Sequence, residues 1–302
     1  MTPVPPQPQA TRAGFVALAG RPNVGKSTLV NALVGAKVAI TSDKPQTTRR
    51  AIRGVATTAT TQLVLVDLPG VQRPRDALTE RMQRRVEHEF SDADVALMVV
   101  NAYEGIGPGD RWIAQVLKAA GLPVVLAVNK LDRLDRPRTV EALAAAAELD
   151  VADDVFPVSA RNGTGVGPLR DHLAALMPES PFLFAAEDSS DQSEELMLAE
   201  LVREQVLRRT FQEVPHSVEV IIDEIDSSRE DLTRVRALVW VEAESQKGIL
   251  IGAGGRMVKA IGTAARRELE RELGSRVHLD LSVRVRRGWR GDEGLLDRLG
   301  IE

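Results

Sequence analysis

The chain has 302 residues, of which 43% are hydrophobic and 27% charged, and its formal net charge is -4. That length can support at least one sizeable hydrophobic core and points to two domains. The absence of cysteine excludes disulfides, thiolate metal sites and cysteine nucleophiles. Since no apolar run approaches the roughly 18 residues that span a bilayer, we expect a globular, cytoplasmic protein.

The N-terminal residues are rich in proline and poor in apolar side chains, with Pro3, Pro5, Pro6 and Pro8. This composition predicts a disordered leader over residues 1–13, with ordered structure beginning near Gly14.

Short apolar runs then alternate with longer stretches that are compatible with helices. The runs predict strands at residues 15–19, 62–67, 95–101, 124–129 and 155–158. Such alternation predicts an α/β domain, here residues 14–177, with a mostly parallel sheet covered on both faces.

The alternation of apolar runs and helical stretches ends in a segment rich in proline, aspartate and serine. This composition predicts a linker over residues 178–193. The remaining residues, 194–302, read as a smaller α+β domain. Its predicted order is a helix at 194–210, strands at 216–225 and 234–242, a glycine cluster, a helical stretch, and a strand near 277–285.

Residues 20–27, G-R-P-N-V-G-K-S, match the phosphate-binding pattern G-x-x-x-x-G-K-[ST] between a predicted strand and a helical stretch. Backbone amides of such a loop surround phosphates, Lys26 places a cation on the β and γ oxygens, and Ser27 ligates Mg²⁺. A loop that binds nothing is the alternative reading. The predicted nucleotide contacts here are Gly20, Asn23, Val24, Gly25, Lys26, Ser27 and Thr28.

A second motif, N-K-L-D, begins at Asn129 and follows a predicted strand, so it lies at the edge of the sheet where ligands bind. The Asp132 carboxylate can accept hydrogen bonds from N1–H and the exocyclic amine of guanine, which adenine lacks. We therefore expect Asn129, Lys130 and Asp132 to select guanine, with Ser159 and Ala160 behind the base. Each of these short motifs alone is more often a solvated loop.

A third motif, D-L-P-G, ends the second predicted strand and is typical of a loop that senses the γ-phosphate. Asp67 would reach Mg²⁺ through water, and the Gly70 amide would contact the phosphate. Upstream, the polar stretch P-Q-T-T-R is predicted to be the first switch loop, with Thr48 as a Mg²⁺ ligand and Thr47 as the second choice.

The C-terminal end is basic although the whole chain is acidic. Between Lys247 and Arg290 there are eleven Lys and Arg residues against four acids, a net charge of +7. Such a basic region indicates nucleic-acid binding, although a run of charge is often only a solvated face.

Within this region the sequence G-A-G-G fits the GXXG loop of RNA-binding domains, which lets an RNA backbone approach amides at a helix start. On the following helix Val258 and Ile261 are predicted to line an apolar groove, and Arg256 and Lys259 to face phosphate. The predicted RNA contacts are Gly252, Ala253, Gly254, Gly255, Arg256 and Lys259.

Together these motifs resemble the Era family of GTPases, which joins a P-loop GTPase domain to a KH domain, here expected to be of the prokaryotic type II. The resemblance extends from about Gly14 to the C-terminus. It implies GTP and GDP as ligands with Mg²⁺, GTP hydrolysis, and binding of 16S rRNA near its 3′ end during assembly of the 30S subunit. It also implies peripheral contact with the inner face of the cell membrane, and we expect no DNA partner.

One position departs from Ras-like GTPases. Val71 replaces the glutamine that orients the attacking water, and Gln72 comes one position late. The resemblance implies instead that Asn23 helps hold K⁺ beside the phosphates, which gives Lys26, Asn23 and Thr48 as the predicted catalytic residues.

Two alternatives remain open. In the first, the C-terminal domain of the GTPase binds protein or membrane rather than RNA. In the second, the chain is a P-loop kinase, which the combination of N-K-x-D and D-x-x-G disfavours.

Overall fold

A computed structural model describes residues 10–44, 47–70, 76–211, 214–229 and 231–301. The described residues form two compact units, the first drawn from residues 1–38, 51–71 and 86–191, the second from 39–50, 72–85 and 192–302. Most of the predicted leader, residues 1–9, lies outside the described residues. Among the helices that are described, none is long and apolar enough to cross a membrane.

The first unit contains a six-stranded sheet in the order β2-β3-β1-β4-β5-β6. All neighbouring strands are parallel except β2, which pairs antiparallel with β3 at one edge. The strands are β1 Arg12–Ala19, β2 Ile52–Thr57, β3 Thr61–Asp67, β4 Val95–Asn101, β5 Val124–Asn129 and β6 Asp154–Pro157.

Helices cover both faces of this sheet, which confirms the predicted fold class. One buried cluster joins the sheet to α1 and α5 through residues such as Leu29 and Leu169, and a second lies on the opposite face and includes Ile113 of α3. The helices of this unit are α1 Lys26–Val34, α3 Pro108–Ala120, α4 Arg136–Ala147 and α5 Val166–Leu176. Helix α2 Ala77–Ser91 is divided, with residues up to Arg85 in the second unit and those from Val86 in the first.

Strand β2 is absent from the sequence prediction. Its central Gly54 weakens the strand pattern, and the structure gives a spatial reason for that glycine. A Cβ at this position would lie only 2.8 Å from Cγ2 of Val34, so a larger residue would displace α1 from the sheet.

The segment predicted as a linker is packed along the first unit without regular secondary structure. The Gln62 side chain accepts hydrogen bonds from the backbone N–H groups of Leu183 and Phe184, at 2.7 and 3.0 Å. Further along, the Val55 N–H donates to the Ser189 carbonyl at 2.8 Å. These bonds hold residues 183–189 in place.

The second unit contains a three-stranded sheet in the order β7-β8-β9, in which β7 and β8 are antiparallel and β8 and β9 parallel. Helices α6 and α9 bury their apolar sides against it, as Val202 and Ile261 illustrate. This is the predicted KH-type arrangement, with α8 as an additional helix before the glycine cluster. The elements are α6 Glu194–Arg209, α7 Val214–Ser217, β7 Glu219–Arg229, β8 Leu232–Val241, α8 Glu244–Ile251, α9 Arg256–Leu273, β9 Arg276–Val285 and α10 Glu293–Arg298.

The second unit also contains a buried ion-pair cluster, made of Arg49, Arg50, Glu200, Arg203 and Glu219. Glu219 accepts from Arg49 at 2.7 Å and from Arg50 at 3.2 Å, and Arg50 also donates to Glu200 at 3.2 Å. Arg203 lies 2.6 Å from Glu200. Because each charge is at most 8% exposed, the cluster is stable only as a paired set.

This pairing changes how Glu219 titrates. Burial alone would raise the pKa of its carboxyl group, but the adjacent guanidinium groups of Arg50 and Arg49 outweigh burial and lower the pKa to about 2. Glu219 is therefore ionised throughout the physiological pH range.

Candidate functional site

Most of the predicted nucleotide motifs meet at one edge of the first unit, at the carboxyl ends of parallel strands. The loop after β1 leads into α1, while Asp67 ends β3 and Asn129 ends β5. Ser159 follows shortly after β6. This is the edge where open α/β sheets bind ligands.

The loop between β1 and α1 is held in a shape that requires glycine. Gly25 has φ +100°, and a Cβ there would lie 2.5 Å from Nδ2 of Asn129. The absence of a side chain at this position leaves the first amides of α1 accessible to an anion.

Lys26 is 6% exposed, and its ammonium group donates to the carbonyl groups of Gly20 and Arg21, at 3.0 and 3.3 Å. Burial lowers the pKa of Lys26 to about 8, although the nearby Asp67 carboxylate acts in the opposite direction. Without a bound anion, this lysine is partly neutral at mildly alkaline pH.

This lowered pKa predicts that nucleotide affinity depends on pH. Bound phosphates favour the charged lysine, so binding should be accompanied by uptake of about half a proton at pH 8 and should weaken as the pH rises from 7 to 8.5. Calorimetry in buffers of different ionisation enthalpy measures the uptake. Lys26→Arg should remove the pH dependence because arginine stays protonated, whereas a wild-type affinity that is constant over this range would contradict the prediction.

The oxygen atoms predicted to serve Mg²⁺ lie together. The Ser27 hydroxyl donates to Oδ2 of the fully buried Asp67 at 2.6 Å. A hydroxyl and a carboxylate beside a phosphate-binding loop are the hard oxygen donors that Mg²⁺ prefers, so these residues fit the ion.

Thr47 and Thr48 belong to a segment of the second unit, where both are buried. The Thr47 hydroxyl donates to the Lys44 carbonyl at 2.7 Å, and its own carbonyl accepts from Arg203. The assignment of Thr48 as a Mg²⁺ ligand stays a prediction. Residues 45 and 46 of the predicted switch loop, and also Val71 and Gln72, lie outside the described residues.

Asn129 joins three of the motifs. Its Nδ2 donates to the Val24 carbonyl at 3.0 Å, and its Oδ1 accepts from the backbone N–H groups of Lys130 and Ala160, at 2.8 and 3.0 Å. One buried side chain thereby fixes the phosphate loop, the base-selecting loop and the loop after β6 relative to one another.

Hydrogen bonds also fix the side chains of Lys130 and Asp132, the other two defined residues of N-K-x-D. Lys130 extends to the Asn23 carbonyl, at 2.5 Å, and Oδ1 of Asp132 accepts from the Ser159 hydroxyl at 2.7 Å. This bond orients the Asp132 carboxylate, whose other oxygen is the group predicted to receive the guanine donors.

Asn23 has φ +64°, a left-handed conformation that asparagine adopts more readily than most residues. The conformation supports a role in shaping the turn, and the K⁺ role of Asn23 stays a prediction.

A cleft of about 420 Å³ opens beside these groups. Two arginines that sequence reasoning missed lie on its wall, and one of them, Arg133, stacks on Tyr103 with its guanidinium 3.8 Å from the ring centroid. Neither Arg133 nor Arg161 belongs to a recognised motif. Tyr103, on which Arg133 stacks, is also distant from it in sequence. The cleft is lined by Gly25, Thr28, Asn129, Lys130, Asp132, Arg133, Ala160 and Arg161.

The glycine cluster of the second unit forms a tight turn that leads into α9. Gly252, Gly254 and Gly255 have φ values of +67°, +60° and +75°, whereas Ala253 is not left-handed. A Cβ on Gly252 would lie 2.8 Å from Cβ of Met257, so the turn also requires glycine for space. Ala253 is exposed at the tip of the turn.

A groove of about 440 Å³ runs between the N-terminal half of α9 and β9. Val258 lines it as predicted, opposite Leu279 and Leu281, and Lys259 lies on its edge. The prediction for Ile261 was wrong, because this side chain is 2% exposed and packs in the core of the second unit.

Family models match both units. The model for 50S ribosome-binding GTPases matches residues 15–130, and the model for KH domains matches residues 213–290. The second match includes the glycine turn and α9.

Relatives match nearly the whole chain. The GTPase Era of Mycobacterium tuberculosis is 46% identical over 295 residues, which cover 96% of this chain and 98% of the relative. The GTPase Era of Mycolicibacterium paratuberculosis is 46% identical over 296 residues, with coverage of 96% and 99%.

Two solved structures are similar over the same length. A crystal structure of Era in complex with MgGDPNP and nucleotides 1506–1542 of 16S ribosomal RNA has a TM-score of 0.92 at 33% identity, covering 96% of this chain and 99% of that one. A crystal structure of an Aquifex aeolicus Era variant bound to GDP and AlF₄⁻ has a TM-score of 0.89 at 34% identity, with the same coverage.

Proposed function

Because the chain belongs to the Era family of GTPases, we propose that it hydrolyses GTP to GDP and phosphate and binds 16S rRNA near its 3′ end. In this role it acts as a switch in assembly of the small ribosomal subunit. The observation that carries the proposal is the hydrogen bonding of Asn129, which joins the phosphate loop to the base-selecting loop in a chain that also has a GXXG turn.

For the nucleotide, the proposal assigns separate tasks to the residues of the site. Lys26 exchanges its two carbonyl partners for phosphate oxygens, and Asp132 accepts from guanine. Ser27 and Asp67 hold Mg²⁺, which when bound neutralises charge on the β- and γ-phosphates. Lys26 would add a second positive charge to the β and γ oxygens.

For the RNA, the proposal rests on the glycine turn and the groove beside it. Three left-handed glycines keep bulk away from the start of α9, so that an RNA backbone can approach the amides. Val258, Leu279 and Leu281 then offer apolar contact to bases in the groove. The similar structure that contains 16S rRNA nucleotides supports rRNA as the partner.

The RNA part is tested by Ala253→Asp. Ala253 tolerates a side chain without backbone strain, whereas any side chain at Gly254 would have to adopt φ +60°. An aspartate at the tip should repel phosphate, so we expect affinity for a 3′-terminal 16S rRNA fragment to fall roughly tenfold or more. GTP hydrolysis without RNA, measured as phosphate release with no added acceptor, should be unchanged.

The matched control is Ala243→Asp, which places the same charge at the opposite end of α8. Ala243 is the N-cap of α8, a position that accepts aspartate readily, so this variant should fold and bind RNA like the wild type. If Ala253→Asp binds the RNA as tightly as the control, the turn is not an RNA clamp and the alternative of a protein or membrane partner gains support. An absence of phosphate release from the wild type would refute the GTPase part.

Three further assignments stay predictions: the K⁺ site at Asn23 and peripheral contact with the cell membrane, which the family resemblance implies, and the cytoplasmic location, which the composition of the sequence suggests. Hydrolysis rates in K⁺ and in Na⁺ test the first. Fractionation of cells into soluble and membrane pools tests the other two.

A further inference from the structure

Helix α9 has a second basic face, adjacent to its groove with β9. Four cationic side chains surround a shallow groove of about 380 Å³ between α9 and the C-terminal end of α6. They are Arg209 of α6 and Arg256, Lys259 and Arg267 of α9, and small side chains of α9 form the floor.

The charges of these four side chains are not neutralised within the described part of the chain. Arg209 donates only to the carbonyl and side-chain oxygens of Gln205, at 3.2 and 3.0 Å, and Arg256 only to the Ala253 carbonyl, at 3.2 Å. No described carboxylate lies within 4.0 Å of any of the four cationic groups.

Neighbouring arginines on the same helices differ in this respect. Arg208 on α6 lies 3.1 Å from Glu204, and Arg271 on α9 lies 2.8 Å from Glu268. The groove therefore concentrates the uncompensated positive charge of the two helices and is complementary to a polyanion.

The groove begins next to the glycine turn and adjoins the groove beside β9. Lys259 and Thr263 line both this groove and the one beside β9, so the two grooves share a ridge. Arg256 begins α9 directly after the turn, and Arg267 follows 11 residues later, about 16 Å along the helix axis. A strand held at the turn can continue along this face and meet more than one cation.

We propose that this groove binds the phosphates of RNA nucleotides that flank those held at the GXXG turn, so that one RNA strand contacts two adjacent faces of α9. The inference rests on the proposed rRNA binding and adds a site to it. Because the contacts are ionic and directed to phosphates, they position the flanking strand without reading its bases.

The test uses the full-length double variant Arg209→Gln/Arg267→Gln, which leaves the turn, Arg256 and Lys259 intact. Affinity is measured for a single-stranded 3′-terminal 16S rRNA oligonucleotide of about twelve nucleotides, three times the four that a KH clamp holds. We expect the affinity to fall roughly tenfold, and the slope of log affinity against log salt to become shallower by about 1.4, which is 0.7 for each of two lost single-strand phosphate contacts.

Shortening the RNA provides a second readout. When the flanking nucleotides are removed down to about four, wild type and double variant should bind with equal affinity, because the groove then has no ligand. Replacing the flanking bases with uridines at full length should leave both affinities unchanged.

The matched control is Arg208→Gln/Arg271→Gln, which removes the same charge from the same two helices but from arginines that already have carboxylate partners. This control should bind like the wild type. Equal loss in the control and the test variant, or wild-type affinity and salt slope in the test variant, would overturn the inference. Failure of the wild type to bind the RNA at all would instead refute the proposed function.

Discussion

Replacing Asp132 by asparagine should reverse the base preference of the nucleotide site. The Asp132 carboxylate is oriented by the Ser159 hydroxyl, and an asparagine keeps an oxygen for that bond while turning an N–H₂ group toward the base. The asparagine N–H₂ group would then face the N1–H and the exocyclic amine of guanine, so that donor opposes donor. GTP affinity should therefore fall by roughly 10⁴-fold, the scale seen for sites built around such bonds. Xanthosine triphosphate, with an acceptor where guanine has its amine, should bind better to the variant than to the wild type.

The natural control is Asp135→Asn, three residues further along. Asp135 caps α4 by accepting from the Arg138 N–H, a task that asparagine performs equally well. Titrations with GTP, ATP and xanthosine triphosphate should therefore separate the two variants, although both change the same charge. Unchanged guanine preference in Asp132→Asn would show that another group selects the base.

The second large effect is expected from Glu219→Gln, which should destabilise the second unit by about 3–5 kcal/mol. Glutamine matches glutamate in size, so the loss comes from leaving Arg49 and Arg50 buried without this carboxylate. Arg49 is fully buried, and burial already lowers its pKa to about 10. Urea unfolding followed by tryptophan fluorescence measures the effect. Trp240 and Trp289 report on the second unit once Trp112, in the first unit, is replaced by phenylalanine.

A control on the same strand is Asp223→Asn, whose exposed carboxylate lies 3.6 Å from Arg236. Exposed pairs contribute little, so this change should shift stability by about 0.5 kcal/mol or less. If the two variants unfold at the same urea concentration, the buried ion-pair cluster does not stabilise the unit as described.

The lowered pKa of the Glu219 carboxyl group predicts how the stability of the second unit responds to acid. The pKa of Glu219 is about 2 in the folded chain and near 4.5 when unfolded, so the unfolded state binds the proton first. The resulting stabilisation, about 3 kcal/mol, is complete above pH 4.5 and disappears as the pH falls from 4.5 toward 2. Glu219→Gln should lose less stability than the wild type over that interval.

Local motifs made the nucleotide site predictable. The amides of the phosphate loop and the carboxylate of Asp132 depend on short spacings that follow predicted strands, so their placement at the sheet edge could be inferred from sequence. The Asn129 hydrogen bonds to Val24 and Ala160 could not, because they join residues 105 and 31 positions apart. Arg133 and its stacking partner Tyr103 were missed for the same reason.

The order of elements in the second unit could be predicted from the sequence, but the burial and pairing of its charged side chains could not. The arginines that follow Thr48 read as a polar loop, and nothing near them in sequence indicates that they become buried. Their environment depends on Glu200 and Glu219, which belong to α6 and β7. Helix α8 was missed because it is only eight residues long and contains Gly248, which disfavours a helix.

The buried ion-pair cluster also bears on how the protein is made. Arg49 precedes Glu219 by 170 residues, so during synthesis the arginines leave the ribosome long before the carboxylate that will neutralise them exists. The second unit can close only when the chain is almost complete, and until then these guanidinium groups must stay in water. A recombinant fragment that begins at residue 192 would lack both arginines and leave Glu219 without these two hydrogen-bond partners. An expression boundary chosen from the chain order alone would therefore yield a destabilised second unit.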